Sequence, residues 1–170
     1  MSINTHERRP IYADGLVFFD LQGMQPVAGD LIGKLTVASV TAAPPFFEDP
    51  RHVLDGVQRP DGTKMPGVRG FRQVIEGQSA LKVVHNKGDL SEVVSSGDRT
   101  GVILSLQNTP YGLTESDLSQ LFEEGVRAVA LEYKNPRGFY GSGWLNPEGR
   151  LTRQGKKLLK MLSGSGMVLD

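Results

Sequence analysis

From Gly101 to Asp170 the sequence alternates short apolar runs with amphipathic segments in the order strand, helix, strand, loop, helix, strand. Parallel strands need long crossover connections, and helices supply them, so this stretch reads as the repeating unit of a parallel α/β barrel. Thr100 to Pro110 (TGVILSLQNTP) is an apolar run closed by polar residues. That is the signature of a strand, over Val102–Leu106, buried on both faces and carrying chemistry at its C-terminal end. A helix is expected over Leu113–Gly125, with Thr114 as N-cap, Asp117 three positions on, Leu118, Leu121 and Phe122 on one face, and Gly125 at the close. Val126–Leu131 reads as the next buried strand, and Leu151–Leu162 as the next helix with Leu151, Leu158, Leu159 and Leu162 inward. Met167–Leu169 reads as a last strand.

Earlier strand candidates are Leu16–Phe19, Leu35–Val40 and Leu81–His85. Between them, Ala43 to Gly70 holds Pro44, Pro45, Pro50, Pro60 and Pro66 with four glycines, so loop or short helical turns are expected there. Arg59-Pro60-Asp61-Gly62 reads as a tight turn. In a barrel, such an insertion over residues 43–70 sits above the C-terminal face, as a lid or specificity loop, or it is a plain surface excursion. Phe71–Ala80 is expected to resume helix with Phe71, Val74 and Ile75 inward. The strand candidates fall short of the eight that closure needs, and a complete barrel typically takes about 250 residues. The expectation is therefore an α/β fold, the N-terminal half of a (β/α)8 TIM-type barrel, as one partial domain over 1–170. Its last strand would leave an apolar edge that self-association or a missing C-terminal half would cover.

The 19 basic and 19 acidic residues balance, so no global field favours nucleic acid or an anionic membrane, and neither is expected as a partner. The sequence has no cysteine, which removes disulfides and thiolate ligands and leans towards the cytoplasm. No apolar run approaches the roughly 20 residues of a membrane span, and the first ten residues are polar rather than a signal peptide. No Walker-type loop, dinucleotide fingerprint or nucleophile elbow is present.

The strings GVILSLQN, GVRAVALEY, GSGW, LTRQGKKLLKML and GMVLD, in that order, with YADGLVFFD near the N-terminus, resemble the membrane (renal) dipeptidase family of metallopeptidases. The likeness covers about two-thirds of the chain, with Gln22 to Leu81 only loosely placed, and its order and spacing are more telling than any one string. It implies an amidohydrolase-like barrel and a hydrolase acting on short peptides or related amides. It also implies two metal ions, zinc in active members, held by a His-x-Asp pair on the first strand, a bridging Glu and two later histidines. The His-x-Asp positions fall on Leu16 and Phe18, and the bridging Glu on Gln107. None of the three supplies what a bridged dication pair needs, so no metal or other cofactor is expected in this chain. The combination of Asp-Gly-Leu on the first strand with Gln-Asn on the later one resembles a divergent branch of the family. The alternative to a hydrolase is then a non-catalytic pseudoenzyme that binds a ligand or a partner chain.

Four residues are candidates for a substrate pocket. Asp20 lies two positions after Phe18 and offers a carboxylate if the strand ends later, or is a loop residue at the strand terminus. Gln107 and Asn108 form a polar pair at a strand C-terminus, suited to an amide or carboxylate, or they simply end the strand. Tyr133 falls where family members place a Tyr or His near substrate, or is a capped core tyrosine. Lys134, Arg137 and Tyr140 belong to a glycine-rich loop that either wraps an anionic group with backbone N–H donors or is a solvated surface loop. His6, His52 and His85 share no metal-ligand spacing and read as structural or surface residues.

Overall fold

The computed structural model describes residues 13–17, 37–41, 49–133, 138–143 and 147–170. His6, Phe18, Phe19, Asp20, Leu35, Lys134 and Arg137 lie outside them.

Strands β1 (Ala13–Val17) and β2 (Val37–Thr41) lead into helix α1 (Pro50–Asp55), and a short hairpin of β3 (Val57–Gln58) and β4 (Lys64–Met65) follows. Then come α2 (Val68–Glu76), β5 (Leu81–Val83), α3 (Lys87–Ser96), β6 (Thr100–Leu106), α4 (Glu115–Glu123), β7 (Val126–Val129), α5 (Arg153–Ser165) and β8 (Val168–Leu169). One six-stranded sheet runs β1-β2-β6-β7-β8, with β5 also on β6, and every pair in it is parallel. This is part of a TIM-type barrel, strands and crossover helices alternating as the C-terminal pattern required.

β6 organises the sheet. It pairs with β2 along Gly101–Ser105, with β5 at Thr100–Val102 and with β7 at Leu104–Leu106. A strand has two edges, so β2 occupies one and β5 and β7 divide the other. Val102, Leu104 and Leu106 point to one face and are at most 2% exposed. Val83, Val126 and Val129 share that face through their ladder partners, and Phe71, Ile75, Leu118, Leu121, Leu158 and Leu162 complete the same core. Each fully buried side chain of this size is worth about 1.5–3 kcal/mol. Gly101, Ile103 and Ser105 alternate onto the second face. The N-terminal part of that face is covered by α3, whose Asp89 and Glu92 both reach the Lys82 ammonium.

Several expectations need correction. Within the segment 43–70, where loop or short helical turns are expected, the short helix α1 starts at Pro50, whose missing N–H is harmless at a first helical position, with Asp49 accepting from the Arg51 N–H as N-cap. Val53, Leu54, Met65 and Val68 from this segment are buried in the core. The turn at Arg59–Gly62 closes the hairpin, with the Gly62 N–H donating to the Arg59 carbonyl at 3.0 Å and Gly62 at φ 83°. Helix α2 begins three residues before Phe71, and Val74 is 39% exposed, because Val68, Phe71 and Ile75 define the inward stripe and Val74 lies beside it. Leu151 is 41% exposed rather than inward, since it precedes the N-cap Thr152 and is not helical. Helix α3 had no counterpart in the sequence reading: Val93 is its one buried residue, so no apolar stripe marks it, although Asn86 caps its start and Gly97 its end. Helix α4 follows expectation, its capping box formed by Thr114 and Asp117.

Candidate functional site

The C-terminal ends of β6 and β7 lie side by side, and short polar links tie them together. The Ala130 N–H donates to the Leu106 carbonyl at 2.8 Å and extends the ladder past β7. Thr109 Oγ1 donates to the Ala130 carbonyl at 2.7 Å. Asn108 Oδ1 accepts from the Tyr133 backbone N–H at 2.8 Å. Asn108 and Tyr133 are thus brought together, with the asparagine spending its carbonyl on the neighbouring strand's exit.

Gln107, one position beyond β6, continues the alternation onto the second face. Its Oε1 is buried and has no hydrogen-bond partner among the described residues. Buried polar atoms are nearly always paired, so this orphan at a strand C-terminus calls for a partner that the described residues do not supply. Leu16 lies on β1; Asp20, the fourth pocket candidate, falls outside the described residues.

Sequence reasoning missed Glu132. Its Oε1 accepts from the Phe139 N–H at 2.9 Å, and its Oε2 from the N–H groups of Tyr140 and Gly141 at 2.7 and 2.8 Å. The glycine-rich loop does wrap an anion with its backbone, as one reading expected, but the anion is the chain's own carboxylate. Tyr140 is 3% exposed, which rules out a solvated loop at that point. Its hydroxyl donates to the Pro110 carbonyl at 2.6 Å, and burial pushes its pKa up to about 12. Phe139 packs edge-on against the Tyr140 ring with centroids 4.9 Å apart, and Tyr111 lies 4.6 Å from Phe139. Thr152 Oγ1 donates to the Phe139 carbonyl at 2.7 Å while accepting from the Gly155 N–H as the cap of α5. A Cβ on Gly155 would stand 2.0 Å from the Tyr140 carbonyl oxygen, so only glycine lets helix and loop meet. Only the glutamate position itself, following an apolar strand, hinted at this anchor.

His85 belongs to another region. Its carbonyl accepts from Arg127 Nε at 2.7 Å, near the N-terminal end of β7, and burial and then the Arg127 charge hold its pKa below the usual value. Arg127 also donates to the Phe122 and Val126 carbonyls and stacks 3.8 Å over the Phe122 ring. This is a structural clamp, consistent with the reading of His85 as a structural residue.

Among the described residues, no group of three or more His, Cys, Asp or Glu side chains is placed to hold a metal ion. The amide of Gln107 is neutral and cannot offset two dications. The described residues therefore do not fit the two-metal centre that the family resemblance implies.

No protein-family model matches the chain, and no curated protein does either. Among solved structures, an amidohydrolase from Pseudomonas aeruginosa superimposes with a TM-score of 0.71 at 20% identity over 94% of this chain. The chain shares that fold. The probable dipeptidase PvdM from Pseudomonas aeruginosa superimposes with a TM-score of 0.63 at 15% identity over 95% of this chain. The chain spans 45% and 46% of the length of these two structures. The fold of these two structures is thus present in part. No helix among the described residues is long and apolar enough to cross a membrane.

Proposed function

We propose that the C-terminal ends of β6 and β7 form part of a binding site for a short peptide or related amide, in a dipeptidase-family hydrolase domain or the N-terminal part of one. The observation that carries the reading is the buried Oε1 of Gln107, unpaired among the described residues, at the strand end where barrel enzymes place their chemistry. Asn108, Tyr133 and the Glu132-anchored loop would shape the rim around it, and Asp20 remains a proposed contributor. The two structural neighbours, an amidohydrolase and a probable dipeptidase, support an amide-bond substrate class. The lack of cysteine supports the cytoplasm as the compartment.

A second reading has its own support. Gln107 stands where the resembled family places a bridging glutamate, which favours a divergent, non-catalytic relative that binds its ligand without cleaving it. Calorimetric titration with a panel of dipeptides, paired with chromatographic assay of released amino acids, separates the two. Turnover supports the hydrolase and binding without turnover the pseudoenzyme. A chain that neither binds nor cleaves any member of the panel refutes the proposed site.

A further inference from the structure

Resting on that binding site, we infer that Gln107 selects ligands presenting an N–H and a C=O on the same edge: primary carboxamides and cyclic amides such as lactams or cyclic dipeptides. Two other side-chain acceptors at these strand exits already have donors. Asn108 Oδ1 holds the Tyr133 N–H, and both oxygens of Glu132 hold the N–H groups of Phe139, Tyr140 and Gly141. Gln107 Oε1 is the buried side-chain acceptor left open among the described residues, and the same amide carries the Nε2 donors in its plane.

A carboxamide offers one acceptor and two donors in one plane. A ligand carboxylate would serve Nε2 but leave Oε1 unpaired, or face it with its own lone pairs. An ammonium would serve Oε1 and repel Nε2. A trans peptide unit points its N–H and C=O in opposite directions and reaches only one of the two atoms at a time. A cis-amide edge satisfies both together. This distinguishes the site from one built around an anionic glutamate, which could not donate. An unpaired buried group is the strongest lever a site has for rejecting a near-isostere, so discrimination is expected to be steep.

The test uses the full chain and three probes: cyclic glycylglycine, its N,N′-dimethylated form, and linear glycylglycine. Calorimetry should show the cyclic dipeptide binding at least about tenfold more tightly than the dimethylated form. Gln107→Leu should abolish that difference, and Gln107→Glu, which keeps the acceptor but not the donor, should reduce it. In the unsubstituted protein, the Gln107 side-chain NH2 resonances should shift on titration with the cyclic probe, a readout independent of how the variants fold. Equal affinity for the cyclic and dimethylated probes, or unmoved Gln107 resonances at saturation, overturns the inference. Binding of the linear dipeptide with none of the cyclic probe also overturns it while leaving the proposed site standing. Failure of all three probes to bind overturns both.

Discussion

Replacing Glu132 by alanine removes the shared acceptor of the Phe139, Tyr140 and Gly141 N–H groups. Phe139 is half-buried and can turn to water, but Tyr140 and Gly141 are buried. An unpaired buried donor costs about 1–3 kcal/mol, and two such donors, with some relief from local movement, give a loss of about 2–4 kcal/mol. The loss should be local first, because these bonds hold one loop against β7 and the start of α5. Amide hydrogen exchange reads it directly: exchange at Tyr140 and Gly141 should accelerate about 30- to 1,000-fold, with little change at Val102 or Leu104 on β6. Glu132→Gln keeps one carbonyl and should give roughly half the effect in free energy, about 1–2 kcal/mol. Exchange at Tyr140 and Gly141 within about threefold of the unsubstituted protein would show that the carboxylate does not hold the loop.

Gly155→Ala forces a methyl to within 2.0 Å of the Tyr140 carbonyl and should lower Tm by at least about 5 °C; an unchanged Tm contradicts the packing. Tyr140 has its pKa raised from 10.0 to about 12 by burial, so its contribution is fully present below pH 10 and is lost as pH rises towards 12. Tyr140→Phe should flatten that alkaline loss of stability in a urea titration series, and an identical slope in both proteins refutes the assignment. Dialysis against zinc followed by elemental analysis should leave well under one equivalent bound; a stoichiometric, chelator-resistant ion that disappears in Asp20→Ala would place a metal site on the first strand after all. At the β8 edge, Val168 is 65% and Leu169 46% exposed, so light scattering after size exclusion should report self-association that Val168→Lys weakens. A cooperative monomer at all concentrations would count against that edge.

The parallel sheet and its crossovers were legible because strands buried on both faces leave continuous apolar runs, as in GVILSL, and because caps such as Thr114 with Asp117 announce helices. Helix α3 was not, since it buries only Val93 and carries no periodic signal. Leu151 was misplaced because periodicity cannot tell the last residue before a cap from the first turn after it. Gln107, Asn108 and Tyr133 could be nominated from their position at strand ends. That Asn108 is spent on Tyr133, that Glu132 captures its own loop, and that Gln107 keeps the one open buried side-chain acceptor among the described residues are tertiary facts, set by which strand exits adjoin.

The divided edge of β6 bears on how much change the site can tolerate. With β2 on one side and β5 and β7 sharing the other, the strand is held in register by three neighbours at once, each over a different stretch. A slip of one residue would carry Gln107 onto the face that now holds Leu104 and Leu106 and turn those two leucines out of the core in its place. Insertions or deletions within Thr100–Leu106 are therefore barred on both counts, whereas the hairpin at Arg59–Gly62 can lengthen freely. Sequence length in related chains should vary at that hairpin and stay fixed across β6, so that the recognition chemistry at its end is inherited with the register.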